Sequence, residues 1–157
     1  MTQTKYAIDA CALIDACAFY PIDKQVFAPV WNTLAQLFEQ GRLISSCEIL
    51  EELRDEKLQT WLKPYRGCFL PLNDEIQACA KRILVDYPQL IRVRSKKASS
   101  SSADPFLIGT AIENKCIIVT NETGKGDNPI CVKIPDVCKK YKVQCINLKD
   151  FIREIVV

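Results

Sequence analysis

Histidine is absent from this chain of 157 residues, and no other absence narrows the chemistry as much. Without it there is no Ser-His-Asp triad, no Cys-His protease, no His-ligated zinc enzyme and no two-histidine ribonuclease. Long apolar runs are missing too. The opening Met-Thr-Gln-Thr-Lys leads into an apolar stretch broken by Asp9 and Asp15, which fits neither a secretory leader nor a membrane span. A strong charge imbalance is also lacking: the formal net charge is +2, so any nucleic-acid contact must rest on local basic patches. The nine cysteines are odd in number and contain no Cys-x-x-Cys pair. Most sit in apolar stretches, as around Cys116 and Cys145. They read as small core hydrophobes in a reducing compartment, which points to the cytoplasm.

What is present is enough for one core. A chain that is 48% hydrophobic at this length can bury a single domain spanning 1–157 without disulfide or metal staples. Tyr6-Ala7-Ile8 reads as a strand ending at Asp9, followed by a short helix over 10–18. The spacing predicts a helix from Val26 to Gln40, with Val30, Leu34, Leu37 and Phe38 inward and Gly41 as its stop. Leu43-Ile44 reads as a short buried strand. Ser45 or Ser46 then caps a helix running through Ile49, Leu50 and Leu53.

Cys68 to Leu72 is expected to be extended, and Asn73 or Asp74 to cap a helix that stops before Pro88. A polar loop from Arg92 to Ser102 ends at Asp104-Pro105, where Asp is expected as the cap and Pro as the first helical residue. Cys116 to Thr120 is a fully apolar strand. A Gly/Asn/Pro-rich loop, a short strand near Cys131, a helix from Pro135, a strand over 143–146 and a helix over 148–155 complete the chain. Strands alternating with helices imply a three-layer α/β fold around a central, mainly parallel sheet.

Open α/β sheets bind ligands beyond the carboxyl ends of their strands, and the notable acids fall there. Asp9 follows the first strand and Glu122 follows the Cys116–Thr120 strand. Asp104 opens the helix feeding that strand, and Glu51 or Glu52 lies early in the helix after Leu43-Ile44. Each acid also has a plain structural reading. Asp104 can be a cap, Glu51 and Glu52 solvated first-turn glutamates favoured by the helix dipole, and Glu122 a turn residue. Asp23 reads as a cap, and Asp15 as a helix-face acid or an accessory to the site. Asp9 is harder to explain structurally, because an unpaired carboxylate among apolar residues on a central strand is costly. Converging like charges call for a cation, and oxygen-only ligation selects Mg²⁺ or Mn²⁺.

Four segments in this order, Tyr-Ala-Ile-Asp9, Ile-Leu-Glu51-Glu52-Leu, Ala-Asp104-Pro-Phe-Leu-Ile and Ile-Val-Thr120-Asn-Glu122, resemble the PIN-domain ribonucleases, and most closely their toxin-type, VapC-like branch. The resemblance covers nearly the whole chain. It implies a Rossmann-like PIN fold, Mg²⁺- or Mn²⁺-dependent endoribonuclease activity on RNA, and an antitoxin protein partner. It is also compatible with a homodimer. It assigns metal and catalytic roles to Asp9, Glu52, Asp104 and Glu122, and a positioning role in the substrate site to Thr120. Glu52 is favoured over Glu51 because the family's acid directly precedes an apolar residue.

Arg94, Lys96 and Lys97, with Arg92 beside them, stand in the loop leading to Asp104 and are candidates for holding substrate phosphates, or else form a solvated charged loop. Lys125, in the loop after Glu122, has the same two readings. The family usually carries Thr and then Asn, Ser or Thr after its first acid, where this chain has Ala10 and Cys11. Since Cys is a weak hydrogen-bond partner, a contact that would orient metal-bound water or phosphate is expected to be lost there. That leaves a second reading, an interaction module with a degenerate site. A phosphoacceptor receiver domain would need an acid pair at the first strand and a lysine after a late one, a set not found here.

Overall fold

The structure, a computed structural model, describes residues 3–90, 103–124, 126 and 132–156. Arg92, Arg94, Lys96, Lys97, Lys125 and Cys131 therefore lie outside the described residues. The buried triplet Tyr6–Ile8 forms strand β1, and Asp9 ends it by turning its carboxylate onto the N–H of Ala10, capping helix α1, Ala10–Phe19. A 3₁₀ turn at Gln25–Phe27 precedes helix α2, Ala28–Glu39, so the expected single helix from Val26 is divided. Pro29, early in α2, suits a helix start better than a helix interior. Gly41, at φ +70°, takes the left-handed turn after α2 that a side chain would strain. It delivers the chain to strand β2, Leu43–Ser46.

The next helix is shorter than its sequence suggests. Ser46 caps α3, Cys47–Leu50, which lasts one turn and leaves Glu51 and Glu52 in the turn that follows. The competing signal is Asp55, whose carboxylate accepts from Leu58 N–H at 2.9 Å and starts helix α4, Glu56–Leu62, an additional element not expected from the apolar spacing. That helix and the 3₁₀ segment Lys63–Cys68 bring Trp61 and Tyr65 against α2. Trp61 meets Trp31 edge-on at 4.9 Å, and Tyr65 stacks on Phe38 at 5.2 Å.

Strand β3, Phe69–Leu70, is followed by helix α5, Asp74–Asp86, capped by Asn73. Helix α6 spans Asp104–Asn114 and strand β4 Ile117–Val119. Helix α7 covers Ile134–Tyr141, β5 Cys145–Ile146 and α8 Leu148–Ile155. The cap of α6 is Ala103, so Asp104 and Pro105 each sit one position further into the helix than expected. Val132 and Lys133, next to the expected strand near Cys131, are not in a strand.

The five strands form one sheet in the order β3-β2-β1-β4-β5, all parallel and flanked by helices. Tyr6 pairs with Leu43 on one side and Ile117 on the other, which makes β1 central. The chain builds outward from β1 through β2 to β3 and then returns to add β4 and β5 on the other side. The carboxyl ends of β1 and β4 thus flank a topological switch point, where open α/β sheets leave a crevice. Among the described residues, no buried side-chain nitrogen or oxygen lacks a partner, and no helix is long and apolar enough to cross a membrane.

Candidate active site

Asp9 and Thr120 meet at this switch point. The two strands are still bonded there: Asp9 N–H donates to Val119 O at 2.9 Å, and Thr120 N–H donates to Ile146 O at 3.0 Å. The Thr120 hydroxyl donates to Asp9 Oδ2 at 2.8 Å, and Asp9 Oδ1 accepts from Ala10 N–H at 2.8 Å. Asp9 is 4% exposed. A carboxylate that deep is tolerated because donors and the positive end of α1 face it.

Cys11, the residue expected to break the pattern, also takes part. Its thiol donates to Asp9 Oδ2 at 3.0 Å, lies 3.3 Å from Thr120 Oγ1 and accepts from Asn121 N–H at 3.4 Å. Cys11 thus bonds the first acid itself, through a weaker donor than a hydroxyl. Burial first, and the negative charge of Asp9 second, push the Cys11 thiol up to about 12, which leaves it protonated and a poor nucleophile.

Thr120 also brings in Glu122. Its Oγ1 accepts from Glu122 N–H at 3.1 Å, and Glu122 Oε2 accepts from Ile134 N–H at 3.1 Å. Burial raises the Glu122 carboxyl above the ordinary glutamate value. The Ile134 N–H opposes that rise, and the charge of Asp9 adds to it. Two carboxylates thus feel each other across one hydroxyl.

Asp104 occupies the first position of α6, 8% exposed, at the end of a helix that packs on β1 and β2. Glu52 is half-buried in the turn after α3, whereas Glu51 is exposed. Both Asp104 and Glu52 have interaction partners of their own. Among the described residues, no three His, Cys, Asp or Glu side chains form a cluster able to hold an ion. The structure thus joins Asp9, Thr120 and Glu122, and it does not draw all four acids into one ligand set.

One residue of this site escaped the sequence reading. Asn121 donates to Asp15 Oδ2 at 2.6 Å and accepts from Leu148 N–H at 2.8 Å, tying α1 to the start of α8 just behind Glu122. Its only sequence signal was its place, an amide between Thr120 and Glu122 at the end of a strand.

Residues 6–157 match a family described as a domain of unknown function, DUF4411. The chain belongs to that family. No curated protein matches the DUF4411 chain. Solved structures do resemble it. One is VapBC2 from Rickettsia felis, crystallised bound to a DNA fragment from its promoter. The likeness has a TM-score of 0.52 at 14% identity and covers 92% of this chain and 98% of that one. Another is FitAcB from Neisseria gonorrhoeae, with a TM-score of 0.51 at 17% identity and the same coverage, 92% and 98%. At these identities the likeness speaks for the fold: the DUF4411 chain has the VapC-like PIN fold, with its five-stranded parallel sheet.

The donor chemistry of the site suits a hard cation. Asp9 and Glu122 offer only oxygen, and Mg²⁺ is commonly held by one or two carboxylates, with water and substrate phosphate filling its other positions. A closed three-ligand cluster is therefore not required for it.

Proposed function

We propose that this protein is a divalent-metal-dependent endoribonuclease and the toxin of a toxin–antitoxin pair. The observation that carries the reading is the Asp9–Thr120–Glu122 linkage at the switch point of a VapC-like PIN fold. Asp9 and Glu122 would hold Mg²⁺ or Mn²⁺, with Asp104 and Glu52 as the further acids of the set. When bound, the ion supplies a lowered pKa for water and neutralises charge on the scissile phosphate. Thr120 fixes the Asp9 carboxylate and the Glu122 backbone at once, so that one hydroxyl sets the spacing of both acids. Arg94, Lys96 and Lys97 would attract the phosphates of RNA. The chain would work in the cytoplasm and be silenced by an antitoxin protein, a role supported by its likeness to the toxin–antitoxin complexes VapBC2 and FitAcB.

A second reading, an interaction module with a weakened metal site, draws on one contact: Asp9 Oδ2 accepts from the Cys11 thiol, a weaker donor than a hydroxyl. The two readings part in one experiment. Purified protein with Mn²⁺ is expected to cleave single-stranded RNA, and Asp9→Asn to abolish both cleavage and calorimetric Mn²⁺ binding. RNA left intact by the wild type would favour the interaction module, and cleavage surviving in Asp104→Asn would remove Asp104 from the acid set.

A further inference from the structure

Beside Glu122 the crevice opens into a cleft of about 760 Å³ over the carboxyl ends of β4 and β5. That volume lies within the range typical of ligand sites, roughly 300–1,000 Å³. Helix α1 reaches this cleft because it lies along these strand ends: Asp15, in its middle, is bonded to Asn121, and its last residue, Phe19, lines the cleft together with Cys145. Thr120 and Glu122 line the cleft and Asp9 does not, so the space extends from the Glu122 side of the acid site toward Phe19 and Lys149.

Phe19 is 64% exposed. A lone exposed aromatic residue needs no explanation, but this one has specific company. Tyr20 beside it is held in place: its carbonyl accepts from Trp31 Nε1 at 2.6 Å, and its ring meets Phe27 edge-on at 5.7 Å. Lys149 also lines the cleft, exposed, in the first turn of α8. A cation there opposes the helix dipole, so it gains nothing from its own helix. An open aromatic face, a free ammonium and an adjoining phosphate-chemistry site form the combination that single strands use, with bases stacking and backbone charge neutralised.

We infer that this cleft is a nucleotide subsite, in which the base next to the scissile phosphate stacks on Phe19 and a flanking phosphate meets Lys149. The inference rests on the ribonuclease reading above and names where its substrate strand runs. A protein segment could instead fill an apolar cleft, but the lysine and the continuity with Glu122 favour RNA.

The test uses the full chain and a single-stranded oligoribonucleotide carrying 2-aminopurine. Binding is followed by fluorescence in EDTA, and KM for cleavage is measured with Mn²⁺. Wild-type protein is expected to quench the probe. Phe19→Ala should abolish the quenching and weaken affinity, or raise KM, by roughly fivefold to 150-fold, whereas Phe19→Tyr should restore both. Lys149→Ala should weaken binding and reduce its logarithmic salt dependence by about one unit.

Cleavage and binding by Phe19→Ala equal to those of the wild type would overturn the subsite and leave the ribonuclease reading standing. Probe stacking without cleavage by the wild type would do the reverse. RNA neither bound nor cut by the wild type would overturn both. If Phe19→Ala spares RNA but releases a co-purifying protein, the cleft belongs to that partner.

Discussion

Cys11 shows how much at this site depends on a single donor. Its thiol reaches Asp9 Oδ2 at 3.0 Å, where a hydroxyl would form a stronger bond to the same oxygen. Cys11→Thr is therefore expected to tighten Mn²⁺ binding in calorimetry and Cys11→Val to loosen it. Thr120→Val, which removes the hydroxyl that donates to Asp9 and accepts from the Glu122 N–H, should cost about 10–100-fold in affinity, as loss of an outer-shell partner typically does. Glu122 gives a pH signature. Its folded-state value lies above the ordinary glutamate value of about 4.3. Between the two values the folded chain keeps a proton that the unfolded chain has released, so stability falls as pH rises through that window. In EDTA, melting curves of the wild type should show this decline and those of Glu122→Gln should lose it. A matching slope in both proteins would mean that Glu122 is not desolvated. Asp9 was legible in the sequence because a carboxylate closing an apolar strand is conspicuous. Asn121 was not, because its two partners, Asp15 and Leu148, are distant along the chain and ordinary in type.

At the scale of elements, legibility followed the length of the apolar pattern. Helix α8 spans the residues expected, 148–155, because its stripe is regular and Asn147 caps it. Helix α4 went unseen because its stretch, Glu56–Leu62, is short and its start depends on the Asp55 carboxylate rather than on periodicity. The same cap explains why α3 stops early and leaves Glu52 in a turn. Strand β3 is only Phe69–Leu70 because an edge strand pairs where its one neighbour runs, here at Ser45 and Ser46. The position of Asp104 depends on how α6 seats on α5, and Gly109 governs that contact. A Cβ at Gly109 would lie 3.1 Å from the Ile76 carbonyl oxygen and 3.6 Å from Cys79 Cβ. Gly109→Val is thus expected to push the two helices apart and cost about 1–3 kcal/mol. In urea this would appear as a lower midpoint at unchanged slope. An unchanged midpoint would show that the α5–α6 seam can give way without loss.

For the whole molecule, the parallel α/β class was written in the alternation of elements, but the sheet order was not. Nothing local says that β4 rather than β2 brings its end beside Asp9 with a hydroxyl, a contact that joins residues 111 positions apart. That long closure is why a ligand at the site should be felt globally. A cation binding Asp9 and Glu122 would link β1 to β4 across the switch point and offset both the burial and the repulsion from Asp9 that raise Glu122. It binds only the folded chain, since the acids are scattered once the sheet is lost. At about 100 times its dissociation constant such a ligand adds ~2.7 kcal/mol, and in a chain of this size each kcal/mol moves Tm by about 2–4 °C. Mn²⁺ should therefore raise Tm by roughly 5–11 °C, and EDTA should reverse the shift. Asp9→Asn should abolish it. Lys140→Ala, which breaks the surface pair with Asp86 on α5, should lower the baseline slightly and keep the full Mn²⁺ increment. An increment retained in Asp9→Asn would place the ion elsewhere on the protein, and no increment in the wild type would mean that the two carboxylates stand together without binding a metal.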